Sequence, residues 1–197
     1  MEAFTDGVMA IVITLLVLEL GVAAGAEEDL LQAILDEWPS YFAYFVSFFT
    51  IGAFWLRHNA ITTAMSGVDS AFVRLNLLAI FFVSFLPFPT KLLAEFLENE
   101  EQTRVAAVFY GIVLFLAALS FNLLWRYAVH HRRLLGPNLP GEEVQALNDS
   151  LAPSLVGYVV AILIGLAFPR VAVLLYLDTA VLIALPVGTL RHALRPA

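Results

Sequence analysis

Phe4-Thr5-Asp6-Gly7-Val8-Met9-Ala10-Ile11-Val12-Ile13-Thr14-Leu15-Leu16-Val17-Leu18-Glu19 opens the chain with an almost unbroken apolar run that continues to Val22. A helix needs about 20 mostly apolar residues to cross a hydrocarbon core ~30 Å thick, and this run meets that length. A cleaved secretory signal would place basic residues before the run and a small-residue cleavage site after it. Neither pattern is present, so the run reads as a retained membrane helix.

Working outward, five further runs of the same kind follow, at about 41–57, 72–93, 105–129, 152–168 and 171–190, the last two parted by Pro169 and Arg170. The composition agrees: of 197 residues, 61% are hydrophobic and 14% charged. A water-soluble domain so composed would expose large apolar patches and aggregate, and a disordered chain needs the opposite balance. Ten basic residues against 17 acidic give a net charge of −7, which argues against nucleic acid as a partner. There is no cysteine, which removes disulfides, thiolate metal sites and cysteine nucleophiles. The expected fold is therefore all-α: a polytopic membrane protein forming a single six-span domain over 1–197, in contact with the lipid bilayer.

The loops suggest an orientation. With the N-terminus in the cytoplasm, Arg57, Arg74, Arg126, Arg132, Arg133, Arg191 and Arg195 lie inside, and Lys91, Arg104 and Arg170 outside. An even number of spans then puts both termini in the cytoplasm, as expected for a multi-pass protein of the cell membrane. The acids have the opposite bias: Glu27, Glu28, Asp29, Asp36 and Glu37 follow span one, and Glu95, Glu98, Glu100 and Glu101 follow span three. They either solvate short amphipathic loops or form an acidic mouth that concentrates cations. Pro87 and Pro89 interrupt span three and Pro186 span six, corresponding positions in the two halves, although the flanking residues share nothing else. Gly136-Pro137-Asn138-Leu139-Pro140-Gly141 reads as a turn-rich linker.

Ionisable groups within spans are costly and mark functional candidates. Asp6 lies near the start of span one, Glu19 near its outer end, and Asp178 along span six, where Arg170 or His192 are possible partners. Span two ends Phe54-Trp55-Leu56-Arg57-His58-Asn59. Arg57 marks its inner edge, while His58 and Asn59 fall at the depth of Asp6, so the imidazole is expected to pair with that carboxyl. Enzyme motifs are missing: there is no Gly-x-Ser-x-Gly, HExxH or phosphate loop, and His130-His131 are adjacent rather than at ligand spacing. Neither catalysis, metal nor cofactor is expected. In span one, Ile11, Leu15 and Leu18 share a face, with Thr14 at its margin. Such a stripe can face lipid or a packed neighbour. Around an axis of symmetry it would narrow a lumen, which can gate by dewetting, and Thr14 would either offer a hydroxyl ring or bond back to its own helix.

Phe4-Thr5-Asp6-Gly7, with Ala10-Ile11 and Thr14 to Glu19, resembles the first-helix signature of the endolysosomal potassium channels, the transmembrane protein one-seven-five family. Trp55, His58 and Asn59 in span two, and Asn76 with Pro87-Phe88-Pro89-Thr90 in span three, extend the resemblance. Thr5 stands where the family motif Arg-x-x-x-Phe-Ser-Asp has Ser, and the motif's Arg would fall one residue ahead of Met1. The resemblance implies a homotetramer of single-repeat chains with helix 1 lining a central pore. It implies a hydrophobic constriction at Ile11, Leu15 and Leu18, a selectivity layer at Thr14, and a network of Phe4, Thr5, Asp6, Trp55, His58 and Asn59 that anchors span one. The Thr-Val-Gly-Tyr-Gly filter of pore-loop potassium channels is absent.

The function expected on these grounds is passive conduction of monovalent cations, potassium above all, with no voltage sensor because no span carries repeated arginines. Two other classes stay open: a secondary transporter or proton-coupled exchanger with Asp6, His58 and Asp178 as a relay, and a non-conducting membrane scaffold.

Overall fold

The computed structural model describes residues 1–21 and 29–184, the side chains of Ser150 and Ala152 excepted. Its regular structure there is helical, apart from one isolated antiparallel bridge, Met65–Leu135. α1 (Glu2–Leu16) passes into a 3-10 turn over Val17–Glu19, and a short α2 (Leu30–Asp36) precedes α3 (Trp38–Thr63). α4 (Ser70–Phe85) and α5 (Pro87–Phe96) follow, then α6 (Glu100–His130), α7 (Gly141–Gly165) and α8 (Pro169–Ala184).

Among the described residues, four stretches are long and apolar enough to cross a bilayer: Trp38–Thr63, Ser70–Phe96, Glu100–His130 and Gly141–Gly165. α1 has 15 residues and the described part of α8 has 16. The third span is two helices, broken at Leu86, because Pro87 has no N–H to give and starts a new helix at its first position. The break lies well inside the apolar stretch rather than near its end. Pro186, its counterpart in span six, lies outside the described residues.

Several boundaries differ from the hydropathy reading; span two, expected to end at about 57, continues as α3 to Thr63. Span one was expected to run to Val22, but its α-helix ends at Leu16 and only a 3-10 turn extends to Glu19. Span five was expected from about 152, whereas α7 begins at Gly141 and carries Pro153 within it. Its first turns are polar, but Glu142 and Glu143 suit the positive end of a helix dipole, so the helix starts before the membrane does.

α6 is the centre of the bundle and packs against α4, α5, α7 and α8. Ala106, Ala107, Gly111, Ala117 and Ala118 are small, which lets neighbouring backbones come close. At Gly111 the ring of Tyr176 and the side chain of Ile162 occupy the space a Cβ would fill. Polar stitches join the helices elsewhere: Asn122 Nδ2 donates to Leu151 O at 3.3 Å, and Trp125 Nε1 to Asn148 Oδ1 at 2.8 Å. Ser47 Oγ lies 2.7 Å from Thr90 Oγ1 and 2.9 Å from Tyr110 Oη, a buried hydroxyl cluster binding α3, α5 and α6. At one end of the bundle the α3–α4 and α6–α7 connections are clasped together, with Ser66 N donating to Leu134 O at 2.8 Å and Gly136 N to Ala64 O at 3.0 Å.

Candidate functional site: the first helix and its anchors

α1 packs against α3, α4 and α5 through one face only, formed by Thr5, Met9, Val12 and Leu16, all buried. The spacing of those four residues, four, three and four, is that of a helix stripe. The opposite face is open: Ile11 is 59% exposed, Leu15 42% and Leu18 74%, with Thr14 exposed between them. The three apolar side chains and the one hydroxyl thus stand on the uncovered side of the helix. Thr14 Oγ1 donates to Ile11 O at 2.8 Å, the back-bond expected for a helical threonine. With its proton turned inward, that oxygen has only lone pairs to offer outward.

Three side chains hold the base of α1 in a directed chain of hydrogen bonds. His58 Nε2 on α3 lies 3.0 Å from Asn76 Oδ1 on α4, an amide oxygen that can only accept, so the imidazole donates. Asn76 Nδ2 donates in turn to Thr5 Oγ1 at 2.9 Å, and Thr5 donates to Met1 O at 3.4 Å. His58, Asn76 and Thr5 are all buried. The other imidazole nitrogen, Nδ1, is buried without a partner among the described residues. An uncharged ring leaves it as a bare acceptor, which costs less than stranding a donor or a charge.

Asp6 takes a different partner from the one expected. Its Oδ1 accepts from Trp55 Nε1 at 3.0 Å, while His58 turns to Asn76. The expected Asp6–His58 pair is therefore absent, because the imidazole lies on the buried face of α3 and Asp6 beside the exposed Trp55. Asn59 does not join these residues either. It is exposed and accepts from Thr63 Oγ1 at 3.3 Å on its own helix. Phe4 is 58% exposed, on the open side of α1 rather than in the anchoring contacts.

Other expectations also need correction. Arg57 is not an edge marker but a buried side chain whose Nη1 donates to Ser154 Oγ at 3.2 Å, joining α3 to α7. Asp178 is exposed, and Arg170 reaches Glu98 O at 3.4 Å instead of that carboxyl. His192 lies outside the described residues. Glu19 has an ion-pair partner that charge counting had not indicated, Lys91 Nζ at 3.1 Å. Asn76 entered the sequence reading only through the resemblance and was given no place in the anchoring network, although an amide within an apolar span is a usable signal.

The arrangement is that of a multi-helix membrane protein whose first helix is anchored at its base and open along one side. A family model described as endosomal/lysosomal potassium channel TMEM175 matches residues 1–87. A potassium channel of Streptomyces collinus is 39% identical over 168 residues, covering 85% of this chain and 81% of that protein. Another, from Chamaesiphon minutus, is 42% identical over 149 residues, 74% of this chain and 73% of that protein. The crystal structure of a lysosomal potassium-selective channel TMEM175 homolog from Chamaesiphon minutus superposes with a TM-score of 0.85. It is 36% identical and covers 95% of this chain and 96% of that one. The chain belongs to the TMEM175 family of cation channels, and the family is one of ion channels rather than enzymes.

Proposed function

We propose that this chain is a six-span subunit of a homotetrameric, potassium-permeable channel in the cell membrane, with both termini in the cytoplasm. Four copies of α1 surround the axis, and α8 completes the span count. Ile11, Leu15 and Leu18 form the hydrophobic constriction, and Thr14 contributes a layer of hydroxyl oxygens to the permeant ion. No cofactor takes part. Ions cross passively when the constriction is wide enough to stay wet.

The observation that carries this reading is the open face of α1. The helix is fixed from behind by Thr5, Met9, Val12 and Leu16, so Ile11, Thr14, Leu15 and Leu18 are left for another copy or a lumen. The inward-turned proton of Thr14 supports its role, since a cation is solvated by lone pairs and not by donors. The likeness to potassium channels of two bacteria supports the choice of ion. A relay between Asp6 and His58, as a carrier would need, has no support, because each is bonded elsewhere.

The absence of cysteine offers a direct test, since Ile11→Cys would carry the chain's sole thiol. A charged thiol reagent should block potassium flux through proteoliposomes of this variant and leave the cysteine-free protein untouched. Full modification without loss of flux would remove α1 from the pore.

A further inference from the structure

A groove of about 1240 Å³ opens among α4, α6 and α7, at the end of the bundle where the two connections are clasped. Its walls are apolar, with Leu75, Leu123, Leu155 and Val156 among them, and Arg126, His130, His131 and Arg132 also line it. No carboxylate lines it among the described residues, in a chain whose net charge is −7.

The cations differ in their engagement. Arg133, next in sequence, is held by Asp69 Oδ2 at 3.2 Å. Arg126 and Arg132 are exposed and have neither an ion pair nor a side-chain hydrogen bond among the described residues. Depth explains what they could meet. The 31 residues of α6 make a rod of roughly 46 Å, longer than the ~30 Å hydrocarbon core. Its final turns, with Arg126 and His130, therefore emerge into the headgroup layer, while Leu123 and Val156 stay at acyl-chain depth.

The geometry points to an anionic phospholipid as the occupant of this groove. Its phosphate is taken by the guanidinium groups of Arg126 and Arg132, whose donor forks suit phosphate oxygens. One acyl chain lies along Leu123, Leu155 and Val156. Basic pockets between membrane helices have this combination of charge above and apolar wall below. A zwitterionic lipid would bring its own cation to the arginines. A second copy docking through the same face would set two arginine pairs against each other.

Native mass spectrometry of the purified full chain tests the assignment, with phosphatidylglycerol and phosphatidylcholine of identical acyl chains as probes. The wild-type protein should retain phosphatidylglycerol in preference. Arg126→Gln and Arg132→Gln should each weaken that retention about fivefold, the effect of one interfacial cation on an anionic headgroup. Both positions are exposed, so folding is not at issue, and circular dichroism checks it. Val156→Trp fills the groove from a position that is 63% exposed, and should weaken phosphatidylglycerol binding with every charge intact. Equal retention of the two lipids, or undiminished phosphatidylglycerol on the double arginine variant, would overturn the proposal. So would unchanged lipid binding in Val156→Trp accompanied by an altered oligomeric state, which would give the groove to a second copy.

Discussion

Asn76 on α4 donates its amide to the hydroxyl of Thr5 on α1 at 2.9 Å, a buried bond between residues 71 positions apart. Asn76 also accepts from His58 on α3, so one amide fixes three helices at the base of α1. Asn76→Ala would strand the His58 donor and remove the donor that Thr5 accepts. The expected destabilisation is about 1–3 kcal/mol, since buried polar groups left unpaired cost more than the bond itself gains. Thermal unfolding in detergent measures it, with Asn59→Ala as the control. Because Asn59, among the described residues, bonds only within α3 and is exposed, its loss should change stability by less than about 0.5 kcal/mol. Equal effects of the two substitutions would show that the His58–Asn76–Thr5 hydrogen bonds contribute nothing.

Gly111→Ala would drive a methyl group into the ring and hydroxyl of Tyr176 and to 2.7 Å from Ile162 Cγ1. Overpacking of this kind costs about 1–3 kcal/mol. Tyr176→Phe alone loses the bond from Tyr176 Oη to Ala107 O, at 3.1 Å, and should destabilise too. Combined, the two should cost less than their sum, because Phe leaves part of the space the methyl needs. Simple additivity in the double-mutant cycle would place the clash elsewhere.

Asp69, in the α3–α4 connection, is held below the usual carboxylate range, first by the backbone N–H of Phe72 and further by Tyr127 and Arg133. A depressed carboxyl stabilises the fold fully above its unfolded value near 3.8 and progressively less as pH falls toward its folded one. Stability measured from pH 6 down to about pH 3 should therefore fall. Asp69→Asn should flatten that fall, and an unchanged pH profile would contradict the role given to this cap.

Thr14→Val keeps the shape of the side chain and deletes the outward oxygen. If those oxygens substitute for hydration of potassium, the variant should conduct with a reduced potassium-over-sodium preference. Permeability ratios from reversal potentials in planar bilayers decide this. Unchanged ratios would leave Thr14 with only its bond to Ile11 O.

Hydropathy located the four stretches that, among the described residues, are long and apolar enough to cross a bilayer, including span three, where Pro87 divides the run into two helices. It was silent on which face of each helix is buried. Arg57 is an example: a charged residue near a span end reads as an interfacial anchor, yet it turns inward to Ser154, 97 residues away. The similar depth read from the sequence suggested an Asp6–His58 pair, whereas Asp6 bonds Trp55 and His58 bonds Asn76. The cluster of Ser47, Thr90 and Tyr110 gave no sequence signal, since isolated hydroxyls are common in membrane helices and their meeting depends on helix packing. The stripe of Ile11, Leu15 and Leu18 was legible from spacing, because a single helix carries it.

The most direct measurement is potassium flux from proteoliposomes holding the wild-type protein and Ile11→Ala, repeated with sodium in place of potassium. A pore lined by α1 and narrowed at Ile11 predicts fast, non-saturating, potassium-favoured flux that rises severalfold in Ile11→Ala. Slow, saturable flux indifferent to residue 11 would contradict it.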